Sequence, residues 1–161
     1  NGRIEIIPNG VDTVRFSPVT ETAVPNPVRQ SLQIDTTAPV LIYVGAIEPR
    51  KGSDLLFAAW AKLAPEFPSA HLVLVGPRLD QSDPALAPFG QRLEALIEAS
   101  GTRERVHFVG RVDNVEAYLQ AATIFVFPSR REGLPNVVME AMASDLPVVT
   151  TPFIGLSDEL G

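Results

Sequence analysis

Two hydrophobic rhythms alternate along this chain. Five short apolar runs, at residues 40–44, 71–75, 106–109, 124–127 and 148–150, are rich in Val, Ile and Leu and lack strict two-residue alternation. That is the pattern of parallel strands covered on both faces. Between the runs, apolar positions return at helical spacing. A helix is predicted after Gly52, capped by Ser53 or Asp54, with Leu55, Leu56, Ala59, Trp60 and Leu63 as its inner stripe and Pro65 and Pro68 marking its end. A second covers residues 89–100, with Leu93, Leu96 and Ile97 facing inward and Gly101 at its stop. A third covers 115–122 behind Asp113 or Asn114, and a fourth starts at Pro135 and runs to about Ala143. Alternation of this kind with short connections predicts right-handed crossovers and a Rossmann-like α/β fold, a doubly wound parallel sheet with helices on both faces.

Residues 1–38 follow neither rhythm. Residues 4–7 predict an edge strand, Asn9-Gly10 a turn, and the Pro-, Thr- and Val-rich stretch 13–38 a surface loop. A second loop, 77–88, holds Pro77, Pro84, Pro88 and two aspartates. The whole, 1–161, reads as a single domain, with a lead-in strand and loop over 1–38 and an alternating core over 39–161. A chain of 161 residues is long enough to bury its own core. It opens at Asn1 without Met, so an excised domain is expected.

Composition narrows the function classes. Hydrophobic residues make up 45% and charged residues 20% of the chain, which is globular usage and excludes a disordered or collagen-like chain. Thirteen Lys and Arg stand against nineteen Asp and Glu, a net charge of −6. The longest basic run is Arg130-Arg131, so a general nucleic-acid binder is excluded and any anionic ligand must be held by a few placed cations and backbone amides. There is no cysteine, hence no disulfide framework, thiolate metal site or thiol nucleophile. Apolar runs are far shorter than the roughly 18 residues of a membrane span, and a cytoplasmic location is expected.

In doubly wound sheets, ligands bind beyond the carboxyl ends of the strands. After the first core strand comes Gly45-Ala46-Ile47-Glu48-Pro49-Arg50-Lys51-Gly52, which sets Arg50 and Lys51 just before a helix N-terminus, where amides and dipole favour an anion. It is not a Walker loop, because Lys51 precedes a glycine instead of following one. The loop after the fourth strand, residues 128–135, carries Glu132 and leads into a helix that carries Glu140. Five residues of helix rise about 7–8 Å, so the two carboxylates should stand roughly 10 Å apart, at two ends of one extended ligand. Between them the amides near Gly133 and Leu134 are predicted to open the helix as an anion site. His71 and His107 each open a strand with no acidic or histidine partner at metal spacing and read as structural; Trp60, Met139 and Met142 read as core. There is no Gly-x-Ser-x-Gly elbow and no Asp-x-Asp pair, and no metal site is expected.

The string Glu132-Gly-Leu-Pro-Asn-Val-Val-Met-Glu140-Ala-Met-Ala resembles the donor-site signature of retaining glycosyltransferases of family 4, which have the GT-B fold. Ile7-Pro8-Asn9-Gly10-Val11-Asp12, Lys51-Gly52, Val75-Gly76, Val109-Gly110 and Phe127-Pro128-Ser129 fall in the same order and spacing, so the resemblance covers nearly the whole chain. It implies the carboxyl-terminal, donor-binding half of a GT-B enzyme. Catalytic roles would then fall to Glu132 by the donor sugar, and to Lys51 and Arg50 on the diphosphate. Donor binding would fall to Glu140 on the ribose hydroxyls, to Gly133, Leu134, Pro135 and Asn136 near the sugar or phosphates, to Gly110, Arg111 and Val112 by the base, and to Gly45, Ala46, Asn9 and Gly10 along the cleft.

The resemblance further implies no metal and no resident cofactor. The substrate would be a nucleotide-sugar donor, UDP- or GDP-hexose, and the partner a sugar, polysaccharide or lipid-linked acceptor brought by an amino-terminal domain. A peripheral membrane contact would belong to the full-length enzyme. Two positions depart from the pattern. Ala46 stands where the family often has Arg, with Arg50 as the candidate replacement, and Asp145 stands where it usually has Gly, a left-handed position that Asp tolerates at some cost. Two alternatives stay open: a nucleotide-sugar-binding fragment without turnover, and a sugar-nucleotide epimerase of the same fold.

Overall fold

The computed structural model describes residues 9–19 and 26–152. Five strands form one parallel sheet: β1 (Val40–Val44), β2 (His71–Val75), β3 (Val106–Gly110), β4 (Ile124–Phe127) and β5 (Val148–Thr150). Four match the sequence expectation in both bounds, and β3 runs one residue further. The edge strand expected at residues 4–7 lies outside the described residues. The order is β3-β2-β1-β4-β5, so the chain winds outward from β1 to β3 and then returns to the other side of β1. The switch point of the sheet therefore lies between β1 and β4.

The uninterrupted apolar strands are buried from both sides. Ile42, Tyr43, Leu72, Leu74 and Phe125 are all at most 1% exposed. Each such side chain stabilises the fold by about 1.5–3 kcal/mol through removal from water. The helices supply the covering layers: α1 (Pro27–Ser31), α2 (Ser53–Leu63), α3 (Leu79–Ser82), α4 (Ala87–Ser100), α5 (Val115–Ala121) and α6 (Asn136–Ala143). α2 and α4 lie side by side, and the buried Trp60 indole N–H donates to Thr102 Oγ1 at 2.8 Å.

Several sequence expectations need correction. The inner face of α2 is Ser53, Leu56, Phe57 and Trp60, while Leu55 and Leu63 are 43% and 44% exposed. Ser53 does not cap the helix. Its hydroxyl is turned back onto the Glu48 backbone, and Gly52 holds the N-cap position at φ +70°. α6 begins at Asn136, with Pro135 as its N-cap, and α5 has no side-chain cap from Asn114. Met142, expected in the core, is 46% exposed.

The stretch 13–38 is not only loop. Asn26 caps α1 through Val28 N–H and Arg29 N–H, and Phe16, Val28 and Ile34 are buried. The loop 77–88 contains α3 and a 3-10 turn, Pro84–Leu86, and Asp80 is buried against Arg78. Asp145 adopts φ +61°, the left-handed conformation foreseen for it.

Candidate functional site

The loops that follow β1 and β4 meet at the switch point. Gly52 makes this meeting possible, because a Cβ there would lie 1.8 Å from the carbonyl oxygen of Pro128. Around this contact the loops are laced together. Arg130 N–H donates to Arg50 O at 3.0 Å. The Arg130 guanidinium grips Asp54 with two 2.7 Å bonds and also donates to Pro49 O. The result is that Lys51 and Glu132, 81 positions apart, form a 2.6 Å ion pair in which both side chains are largely buried.

Glu132 is held by one oxygen. Its Oε1 accepts from Lys51 Nζ at 2.6 Å and from Ser129 Oγ at 2.7 Å, and Arg50 lies 3.8 Å from the same oxygen. Burial would raise the Glu132 carboxyl, but the bonds from Lys51 and Ser129 and the charges of Lys51 and Arg50 outweigh it and hold the group below its ordinary range. Glu132 is therefore an anion at neutral pH. Lys51 Nζ also sits 5.4 Å from the centre of the Phe127 ring. Arg50 is exposed and pairs with Glu48 at 2.8 Å, so the cation expected to replace the one missing at Ala46 is on the right rim but already has a partner.

Glu140 has the opposite character. It lies on α6, half-buried, and burial pushes its carboxyl up; the Arg15 charge opposes this, Glu116 adds to it, and the net shift is upward. No hydrogen bond from the described residues contributes to it. A half-buried carboxylate without donors is costly and is relieved by a ligand that supplies O–H or N–H groups. Gly133 and Leu134 precede the helix by two to three residues, so the amides left without a side-chain cap at its start are those of α6 itself, from Asn136 onward. Asn136 is reached by Asn9, whose Nδ2 donates to its Oδ1 at 2.9 Å. Gly10 is exposed beside Asn9.

The remaining expected positions line the same rim. Backbone bonds continue the sheet past its strands: Gly45 N–H to Val75 O, Ile47 N–H to Pro77 O and Gly76 N–H to Gly110 O. These align the loops that carry Gly45, Ala46, Gly110, Arg111 and Val112. The Ala46 carbonyl is fixed by the buried Tyr43 hydroxyl at 2.8 Å. Arg111 is exposed, and Val112 packs against the core.

Sequence reasoning missed four participants. Ser129, 1% exposed, stood in a quoted motif without a role. Asp54 reads from sequence only as a candidate helix cap, Arg130 only as part of the longest basic run, and Arg15 as part of a loop. The histidines, expected to be structural, pair with each other in a way the sequence did not show: His71 Nδ1 and His107 Nε2 are 2.9 Å apart and their rings stack at 5.2 Å. They are each other's partner, at the amino-terminal end of the sheet, away from the site. Among the described residues no group of three or more His, Asp or Glu is placed to hold a metal ion, and no helix is long and apolar enough to cross a membrane.

Comparison with known proteins fits this arrangement. The family described as "Glycosyl transferases group 1" matches residues 26–160. The lipopolysaccharide core biosynthesis mannosyltransferase LpsB of Rhizobium meliloti is 30% identical over 155 residues, 96% of this chain and 42% of its own length. The sucrose-phosphate synthase of Thermosynechococcus elongatus superposes with a TM-score of 0.75 at 33% identity, covering 98% of this chain and 37% of that one. The carboxyl-terminal domain of a glycosyl transferase group 1 protein, LpcC of Francisella tularensis, superposes with a TM-score of 0.75 at 25% identity over 93% of this chain and 74% of that one. The chain spans less than half the length of the curated relatives it matches, from 25 to 42%. With a parallel sheet of the GT-B type and a family match over most of its length, the chain belongs to the group 1 glycosyltransferases.

Proposed function

We propose that this chain is the carboxyl-terminal, donor-binding half of a retaining glycosyltransferase of family 4, holding a nucleotide-diphosphate hexose on the rim of its switch point. The observation that carries the reading is the pairing of opposites: an ionised, cation-bound Glu132 beside Lys51, and a half-buried Glu140 without donors further along α6. One suits a sugar and its departing diphosphate; the other suits two ribose hydroxyls, which a carboxylate accepts bidentately. The solved carboxyl-terminal domain of LpcC supports the same placement in a larger chain.

In this reading the base lies along the loop of Gly110, Arg111 and Val112. The diphosphate lies between Lys51 and the uncapped start of α6, where dipole and cation act together. An acceptor hydroxyl oxygen attacks the anomeric carbon on the face from which the diphosphate departs. The carbon–phosphate-oxygen bond breaks, the hydroxyl proton passes to the departing phosphate oxygen, and the nucleoside diphosphate leaves with configuration retained. Lys51 counts most in the transition state, where negative charge grows on the leaving group. To reach it, Lys51 must exchange part of its bond to Glu132, so donor binding loosens this pair. The acceptor domain would close over the rim and exclude water.

The test is isothermal calorimetry of this chain with UDP, GDP and their hexoses, wild type against Glu140→Ala. Binding that Glu140→Ala removes supports the ribose role, and unchanged affinity refutes it. The chain's short span relative to its relatives favours a second reading for the isolated piece, binding without turnover; transfer by this chain alone would exclude it. An epimerised sugar nucleotide formed from donor alone would favour an epimerase.

A further inference from the structure

Arg15 lies in the amino-terminal segment, outside every helix and strand, yet it is the most connected charge near Glu140. Its direction is set locally. Asp12 Oδ1 accepts the N–H groups of Val14 and Arg15, Phe16 N–H donates to Asp12 O, and the Phe16 side chain is buried in the core. This anchored turn aims the guanidinium at the loop between β3 and α5 and at the first turn of α5. There Arg15 Nε donates to Glu116 Oε2 at 2.9 Å, and the same guanidinium donates to the carbonyl oxygen of Asp113. Gln120 Nε2 adds a second tie from α5 to the segment, to Ser17 O at 3.2 Å.

An exposed ion pair such as Arg15–Glu116 contributes little to stability, because water and salt screen it. The contact to the Asp113 carbonyl and the charge presented to Glu140 have a different use. They connect the two parts of the rim assigned above to one nucleoside: the loop at 110–112 for the base and Glu140 for the ribose. We propose that Arg15 is a positioning residue of the donor site, which locks the loop after β3 to the amino-terminal segment through its bonds to the Asp113 carbonyl and Glu116 and sets its charge toward Glu140. The proposal rests on the donor-site reading above. Glu140 is faced by Arg15 from the amino-terminal segment and by Glu116 from α5. Neutralising Arg15 leaves Glu140 with burial and a like charge alone.

The experiment compares wild type, Arg15→Met and Arg15→Lys by three readouts: amide hydrogen exchange at residues 111–116 without ligand, affinity for UDP and GDP between pH 5 and 8, and Tm. Arg15→Met is expected to speed exchange at 112–114, to weaken nucleoside diphosphate binding about tenfold, and to move the lower pH limit of binding upward. Arg15→Lys keeps the charge but not the fork, so it should restore the pH limit and not the loop protection. Unchanged exchange, or unchanged affinity and pH limit in Arg15→Met, would overturn the proposal. A loss of affinity with no change in pH limit and a matching fall in Tm would also overturn it, as a merely structural effect. If the wild type binds no nucleoside diphosphate, the donor-site reading fails, and ligand-free exchange alone decides whether Arg15 holds the loop.

Discussion

Replacing Gly52 by Ala should damage the fold and the site together. Two costs combine. Gly52 sits at φ +70°, where a residue with a Cβ loses about 1–2 kcal/mol. The new Cβ would also lie 1.8 Å from Pro128 O, whereas real contacts essentially never fall below 3.0 Å, so the two loops must part by about 1.2 Å. Overpacking of this kind costs about 1–3 kcal/mol. The sum, about 2–5 kcal/mol, corresponds to a fall in Tm of about 5–15 °C in a domain of this size. The 2.6 Å Lys51–Glu132 bond spans the same gap and cannot survive such a separation unchanged. Misplacement of about 1 Å at a reacting site costs up to about 100-fold, so nucleotide-sugar affinity should fall more than Tm alone explains. Gly101→Ala is the control, since Gly101 has φ +63° but nothing within 4 Å of its Cβ position. It should show the backbone cost alone. Scanning calorimetry and titration calorimetry on both variants decide the matter: equal Tm losses for Gly52→Ala and Gly101→Ala would refute the close-approach argument.

Three further outcomes follow from the same geometry. Glu140→Gln removes a half-buried carboxylate whose folded-state pKa is raised; such a group stabilises least above that pKa, so at pH 7 the variant should keep or gain Tm while losing nucleoside diphosphate affinity, read by thermal melts and calorimetry. Ser129→Ala deletes the 2.7 Å bond to Glu132 from a buried hydroxyl and should cost about 1–2 kcal/mol, and carbon NMR of the Glu132 carboxyl should show its pKa rising toward the ordinary value. His71 and His107 both have lowered pKa values, chiefly through burial, with Arg105 and Arg29 acting on His71 and His71 acting on His107. The unfolded chain then binds protons first, so stability is present above about pH 6.5 and falls as pH drops through the window below it; Tm measured from pH 7.5 to 5 should decline, and less steeply in His107→Gln.

The strands were legible because nothing competes with an uninterrupted Val, Ile and Leu run bounded by turns, whereas the switch point depends on the strand order and was not. Nor were the faces of α2. The expected stripe of Leu55, Leu56, Ala59, Trp60 and Leu63 fits helical spacing as well as the observed face of Ser53, Leu56, Phe57 and Trp60, and only packing against α4 and the sheet chooses between them. α1 carried a start signal, Asn26 before Pro27, but five residues are too few to show a periodic face. In the site, the motif residues were readable one by one, whereas their contacts were not. Lys51 with Glu132, Arg130 with Asp54 and Arg15 with Glu116 are separated by 81, 76 and 101 positions. Chain separation of that size is closed by sheet order, which no local pattern encodes. The histidine pair was missed for the same reason: β2 and β3 must lie side by side before His71 and His107 can meet.

The account stands or falls on whether this rim holds a nucleoside diphosphate sugar. The direct measurement is an amide and side-chain NMR titration of the chain with UDP- and GDP-hexoses. The account predicts saturable shifts at Lys51, at Gly110 to Val112 and at Gly133 to Glu140, with none at His71 or His107 at the far end of the sheet, and their loss in Glu140→Gln. Shifts confined to other surfaces, or no saturable shift with any nucleotide sugar, would contradict it.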